Sequence, residues 1–347
     1  MGNKNSDVIK RAISFIKRGI NYTKDILGTA KITVNEGKSR HNSQEEQYIK
    51  LAKLEEKYGK LEPGVSVIIG TYKGEGKIDR CLDSLIHQSL DHSLFEVIFI
   101  INGERDHTDQ KIHTTFSKVN TLNYCILYSD HASLPAARNI GIKAARKKYL
   151  CFLDDDDFLS HNYLKDMLAD CGDFTMVFSQ IVDVNDKGEL NPNNTINKQL
   201  IQTREVEATM MHKLSTGNTM SGCKMLPTIL VKDHPFIEEL KSGEDVVFFT
   251  QLLTNWDFIF RVVPPGKNVI YYRLLSNNSM SRRSLSYEFN VTERLAVLAH
   301  LDQQLFKVEQ PYRINMIKSK MTAQSGFIKR FLLENEQDDR IAVYKEI

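Results

Sequence analysis

Runs of apolar residues alternate along this chain with segments in which apolar positions recur every three or four residues. Val65–Ile69, Phe95–Ile101, Tyr124–Tyr128 and Tyr149–Leu153 show no regular polar alternation. Interior strands of a parallel sheet read this way when both faces are covered. Between them, Ile78, Leu82, Leu85 and Ile86 fall on one helical face, and Ser133 with Pro135 starts a further helix predicted to reach Lys148. Strands and helices in this alternation predict an α/β fold, a doubly wound and mostly parallel central sheet flanked by helices.

Beyond that core the pattern is less regular. Phe174–Val184 reads as one strand, Asp186–Asn197 as a polar loop, and Leu214–Gly222 as a Ser/Thr/Gly/Asn segment with no period. An apolar helix follows Gly243. Short strands are predicted over Phe258–Val263 and Val269–Tyr272, then a Ser/Asn loop bearing Arg282 and Arg283. From Leu285 two helices divide near Pro311, the first striped by Leu295, Leu298, Leu301 and Leu305. At the other end, Ile9, Ile13, Ile16 and Ile20 recur at helical spacing with Lys10, Arg11, Lys17, Arg18 and Lys24 around them. Thr33–Glu46 reads as a linker merging into a charged helix over 43–60 that ends near Gly59, and Pro63-Gly64 marks entry to the main domain. The expected organisation is a basic, amphipathic helical extension at 1–60, an α/β domain at 61–285 and a C-terminal helical segment at 286–347. No internal repeat is visible.

Composition narrows the class. The chain has 347 residues, 41% of them hydrophobic, enough to bury a large core. Five cysteines are scattered, odd in number and mostly within apolar segments, which argues against a disulfide framework or zinc site and for a reducing cytoplasm. No apolar run reaches the roughly 18 residues of a membrane span, and no signal-peptide core is present. A net charge of +2 hides an asymmetry, because residues 1–40 carry nine Lys/Arg against three Asp/Glu. The basic helix suits peripheral contact with the inner face of a membrane, packing on its own acidic body, or oligomerisation. Nucleic acid is not an expected partner, since no basic patch interleaved with aromatics follows.

The chemistry concentrates at Asp154-Asp155-Asp156-Asp157, placed directly after the Tyr149–Leu153 strand. Adjacent carboxylates repel unless solvent or a cation relieves them. The C-terminal end of an interior strand is where open α/β sheets hold ligands, whereas an isolated acidic run is commonly a solvated turn. Hard oxygen donors without nearby Cys or His suit Mg²⁺ or Mn²⁺. An EF-hand is excluded, because Leu159 stands where its loop requires glycine. A second acidic pair, Glu244-Asp245, follows Gly243 at a helix start, where carboxylates also complement the helix dipole.

The ordered segments VSVIIGTYKGEGKIDRCLDSLIHQS, EVIFIINGERD, LPAARNIGIKAARKKYLCFLDDDDFL and SGEDVVFF resemble the family-2 glycosyltransferases of the GT-A fold, above all bacterial enzymes of capsule and surface-polysaccharide synthesis. The resemblance covers about residues 65–285. It implies a GT-A, Rossmann-like sheet, a nucleotide-sugar donor (a UDP-sugar first), and a glycan or lipid-linked saccharide acceptor. It further implies a divalent metal on a D-x-D motif that maps to Asp154 and Asp156, Asp156 as metal ligand and Asp154 also toward the ribose. Thr71, Tyr72 and Glu75 correspond to the turn around the nucleobase, Asn102 to the end of the second strand, and Arg138 to a donor-binding position; Asp155 adjoins the donor site. Arg282 and Arg283 would close over the diphosphate. Asp245 would be the general base that accepts the acceptor's proton, with Glu244 orienting the acceptor. Three departures stand out: Ile101-Asn102 replaces a strand-end Asp, Gly70 and Lys73 replace the Pro and Asn of P-T-Y-N, and Tyr272-Arg273-Leu274-Leu275 lacks a metal-assisting His. A glycan- or partner-binding module that had lost turnover is the competing class, although it would gain nothing from two repelling acidic clusters. A haloacid-dehalogenase-type phosphatase fits poorly, because Phe158 follows the acids and the motif lies far into the chain. A sugar-nucleotide pyrophosphorylase would begin with a different, Gly-rich phosphate loop.

Overall fold

The computed structural model describes residues 36–214, 217–275, 285–335 and 337. The basic helix expected around Ile9–Ile20 and the loop with Arg282 and Arg283 lie outside them. Helix α1 (Glu36–Tyr58) begins within the segment expected to be a linker. It docks on the chain's own body. Leu51 and Leu54 are buried, Gln47 accepts a hydrogen bond from the Asp257 amide (2.7 Å), and Tyr58 donates to the Lys232 carbonyl (3.1 Å).

Strands β1 (Glu62–Thr71), β2 (Phe95–Asn102), β3 (Asn123–Ser129) and β4 (Lys147–Phe152) pair in parallel in the order β3-β2-β1-β4. Val67 stands opposite both Val97 and Cys151. Every residue of β2 is buried, as an unbroken apolar strand requires when helices cover both faces. Crossovers α2 (Asp79–Ile86), α3 (Thr108–Phe116) and α4 (Leu134–Ala144) connect them. Helix α4 starts as predicted, with the Ser133 hydroxyl accepting from the Ala136 amide and Pro135 in the first turn. Its close seat on the sheet needs Gly141, where a Cβ would fall 2.3 Å from Ile68 Cγ2. The helix stops at Ala144, short of the expected Lys148. The Lys147 amide bonds to Ser66 Oγ (3.1 Å) and its ammonium to Glu62 (3.0 Å), which commits those residues to β4.

The second half follows as β5 (Phe158–Leu159), α5 (Tyr163–Ala169), β6 (Thr175–Phe178), β7 (Gln180–Val184), β8 (Leu190–Asn191), α6 (Thr195–Ile201) and β9 (Glu205–Val206). It continues with β10 (Lys224–Pro227), α7 (Thr228–Lys232), α8 (Glu244–Asn255), β11 (Ile259–Val262), β12 (Ile270–Leu274), α9 (Glu293–Leu305) and α10 (Pro311–Glu334). The large sheet runs β3-β2-β1-β4-β10-β6-β11-β9, and a small sheet runs β5-β12-β7-β8. The run Phe174–Val184 is therefore two strands in two sheets. It breaks where the Ser179 amide turns to the Cys223 carbonyl (3.0 Å). The segment read as a polar loop contains β8 and the start of α6, capped by Asn194, whose side chain accepts from the Asn197 amide (2.8 Å). Strand β10 is antiparallel to both neighbours and carries the large sheet past β4. The C-terminal helices pack through Leu295, Leu298 and Leu301, as their stripe predicts. Among the described residues, no helix is long and apolar enough to cross a membrane.

Candidate active site

Strands β1 and β4 end side by side, so Thr71 and the four aspartates share one edge of the sheet. The Leu153 amide still pairs with the Ile68 carbonyl (3.1 Å), and the Asp157 amide then closes a turn onto the Asp154 carbonyl (3.1 Å). That turn aims successive carboxylates in different directions. Asp155 is buried, accepts from Thr71 Oγ1 (2.6 Å) and pairs with Lys77 (2.8 Å). Asp157 is buried and accepts from the Leu274 amide (2.7 Å); burial, then Asp154 and Asp156, hold its carboxyl well above the usual range. Asp156 is pushed up to about 6 by burial and by Asp154 and Asp155. Asp154 stays 43% exposed, with burial raising its carboxyl and Arg138 opposing the rise.

Helix α8 brings the second acidic pair to the same edge. Gly243 begins it at φ +74, a conformation glycine adopts without strain. Arg138, in the second turn of α4, joins the two clusters. Its guanidinium is 4% exposed and contacts Asp245 Oδ1 at 2.7 Å, Glu244 Oε1 at 3.2 Å and Asp154 Oδ1 at 3.2 Å. The rings of Phe236 and Phe152, at 5.4 and 5.8 Å, wall it in. Asp245 is further held by the Ser221 amide (2.9 Å, to Oδ2) and hydroxyl (2.7 Å, to Oδ1). Glu244 is pushed up to about 7 by burial and then by Asp245, against the pull of Arg138. The neighbouring Asn139 pins the Phe236 loop through its carbonyl and amide (3.0 and 2.8 Å).

The expected donor residues divide. Tyr72 is exposed, and the Glu75 amide is anchored to Asp106 (3.1 Å). The Asn102 amide group is buried and bonds to the Thr71 carbonyl (3.1 Å), which ties the ends of β1 and β2 together. Lys77, Asp106, Ser221 and Tyr271 were not foreseen. Tyr271 is fully buried in β12, and its hydroxyl accepts from the Asp154 amide (3.2 Å). Lys77 and Asp106 lie within the recognised segments, but Ser221 sits in a stretch without period and Tyr271 in an ordinary apolar strand. Nothing in their local sequence marks them.

Six carboxylates (Asp154 to Asp157, Glu244, Asp245) thus gather at this edge, four of them (Asp154, Asp155, Glu244 and Asp245) within ion-pair distance of Arg138 or Lys77. The surplus negative charge and the hard, partly exposed oxygens of Asp154 and Asp156 fit a divalent cation. Among the described residues no three His, Cys, Asp or Glu side chains form a ready-made cage. A site of one or two carboxylates completed by phosphates and water is the usual Mg²⁺ arrangement.

Residues 66–227 match the model of the family described as glycosyl transferase family 2. The chain is 29% identical over 231 residues to the putative glycosyltransferase EpsH of Bacillus subtilis, covering 64% of this chain and 63% of that protein. It is 29% identical to the poly(ribitol-phosphate) β-N-acetylglucosaminyltransferase TarS of Staphylococcus aureus, covering 55% and 32%. The match to the minor teichoic acid biosynthesis protein GgaA of B. subtilis is 28%, covering 81% and 62%. The chain thus spans less than two thirds of these relatives. Among solved structures, S. aureus TarS 1-349 in complex with UDP-GlcNAc superimposes with a TM-score of 0.58 at 23% identity, over 80% of this chain and 74% of that one. The shared architecture is the GT-A fold.

Proposed function

We propose that this chain, which carries a family-2 glycosyltransferase domain, transfers a sugar from a nucleoside diphosphate to a hydroxyl of a cell-surface polymer, with inversion at the anomeric carbon. The observation that carries this reading is Arg138 joining a strand-end aspartate to a helix-start acid pair, so that donor-side and acceptor-side carboxylates share one edge of the sheet. A UDP-sugar is the preferred donor, because TarS structures are described in complex with UDP and UDP-GlcNAc. The acceptor class follows from relatives named for poly(ribitol-phosphate) and teichoic acid.

In this reading the turn Thr71–Glu75 takes the nucleoside, and Arg138 donates to the diphosphate once Asp154 turns toward the ribose or cation. Asp156 with Asp154 would hold a Mn²⁺ or Mg²⁺ ion, which supplies Lewis-acid neutralisation of the leaving diphosphate. Asp245 accepts the acceptor's proton as its oxygen attacks. Oδ2 has a single donor, the Ser221 amide, and so keeps a lone pair for that proton. Glu244, with its carboxyl near 7, suits a hydrogen bond to the acceptor. No protein nucleophile intervenes, so an α-linked donor gives a β-linked product. Arg282 and Arg283 are assigned to closure over the diphosphate, and the basic N-terminal segment to contact with an anionic membrane face or a partner surface. Equal liposome flotation with and without residues 1–40 would remove the membrane role, leaving packing or oligomerisation.

The test is a panel of nucleotide sugars with Mn²⁺ or Mg²⁺. One donor should raise the melting temperature and be slowly hydrolysed, EDTA should abolish both effects, and an acceptor polymer should yield the β-linked product by NMR. A panel in which no donor binds, or a product of retained configuration, overturns the assignment.

A further inference from the structure

The matched family segment ends at Pro227, yet the acceptor-side acids lie beyond it and rest on α9 and α10. Two buried cations from those helices grip the two pieces of chain that hold Asp245. The first is Arg294. Its Nη2 bonds to Ser242 Oγ, which in turn donates to Glu293, while Nη1 reaches Gln324 of α10 (2.9 Å) and Nε the Phe289 carbonyl (3.3 Å). Phe289 and Phe327 cover the guanidinium at 4.7 and 5.3 Å. This group backs the Ser242-Gly243 corner directly. A Cβ on Gly243 would lie 2.8 Å from Val297 Cγ2 and 3.3 Å from Arg294 Nη1, so the corner has no room to turn.

The second cation is Lys320, 6% exposed in α10, whose ammonium reaches the Asn218 carbonyl at 3.4 Å. Beside it Lys224, fully buried, bonds to the Gly217 (2.6 Å) and Met220 carbonyls and lies 4.2 Å from the Phe249 ring. The loop so gripped delivers Ser221, two of whose bonds orient Asp245. Burial pushes Lys320 down to about 7 and Lys224 to about 8. Unpaired ammonium groups are costly to bury, and an apolar side chain would fill the same space without that penalty.

We propose that Arg294 and Lys320 are positioning residues for the base Asp245, Arg294 through the Ser242-Gly243 corner and Lys320 through the loop that carries Ser221. This deepens the transferase reading and rests on it for the role of Asp245. The C-terminal helix pair is then part of the catalytic apparatus, setting acceptor geometry while the parallel half binds donor.

The experiment compares the full chain with Arg294→Met, Arg294→Lys and Lys320→Met. Hydrogen exchange at amides 243–248 needs no substrate; it should rise at least roughly tenfold in both Met variants, with β1 to β4 unchanged. In transfer assays kcat should fall roughly 10- to 100-fold with donor KM within about twofold. Arg294→Lys, which returns a cation behind the Ser242-Gly243 corner, should recover most of the kcat lost in Arg294→Met. Unchanged exchange overturns the proposal even if no sugar is ever transferred. Unchanged kcat in Arg294→Met, or no recovery in Arg294→Lys, overturns it while leaving the transferase reading intact.

Discussion

The edge formed by β1 and β4 and the corner formed by Gly243 and α8 hold the same kind of side chain, yet they are built in opposite ways. At the first, four aspartates come from consecutive positions, and Asp155 takes both its partners, Thr71 and Lys77, from one strand-turn-helix unit, while Asp154 and Asp157 reach Arg138 and the Leu274 amide. At the second, Asp245 depends on Ser221, Arg138, Arg294 and Lys320, drawn from four separate elements. The difference teaches where tolerance to change should lie. A local site loses one contact with one substitution; an assembled site loses its geometry.

Four predictions break or sharpen that contrast, from the largest effect down. Asp245→Asn keeps shape and removes basicity, so transfer should fall about 10²- to 10⁴-fold while donor binding by calorimetry is retained. Near-normal transfer would put the base elsewhere. Arg138→Met strips the cation that, among the described residues, both regions share and leaves three carboxylates facing one another around a buried site, at a cost of about 3–5 kcal/mol in denaturant unfolding. A loss below about 1 kcal/mol would mean that solvent already screens the cluster.

The third concerns pH. Glu244 at about 7 and Asp156 at about 6 lie above their ordinary values, so the unfolded chain releases these protons first as pH rises. The stability they contribute is complete below the unfolded carboxyl range and is lost as pH climbs through about 6 to 7. Melting temperature without cation or donor should therefore decline between pH 4.5 and 7, and Glu244→Gln should flatten the upper part of that decline. A profile identical to wild type would remove Glu244 from the coupling. Smallest is Lys77→Met, which breaks a half-exposed pair and should lower stability by about 1 kcal/mol or less, with any loss of activity confined to donor affinity. A fall in kcat with donor affinity intact would show that the local site is as interdependent as the assembled one.

How much of this was legible follows the same division. Unbroken apolar strands, the Ser133 cap and the aspartate run each declare themselves within a few residues, so the parallel half, its crossover helices and the acids at the end of β4 could be read directly. The strand at Phe174–Val184 could not be divided, because its apolar pattern is continuous and the break at Ser179 comes from a bond to Cys223. Strand β10 escaped for a like reason: four residues lack a period, and its pairing with β4 and β6 is fixed by partners far along the chain.

By itself, then, the sequence determined which groups carry the chemistry, because carboxylates at a strand end and at a helix start are local facts about the chain. Only the tertiary structure decided that Arg138 would join those acids, that Asn102 would brace Thr71, and that buried cations of the last two helices would stand behind Asp245. The physical reason is range. Strand and helix patterns arise from neighbours in sequence, whereas a buried charge is held by whatever long-range packing brings within about 3 Å, and no period in the chain records that distance.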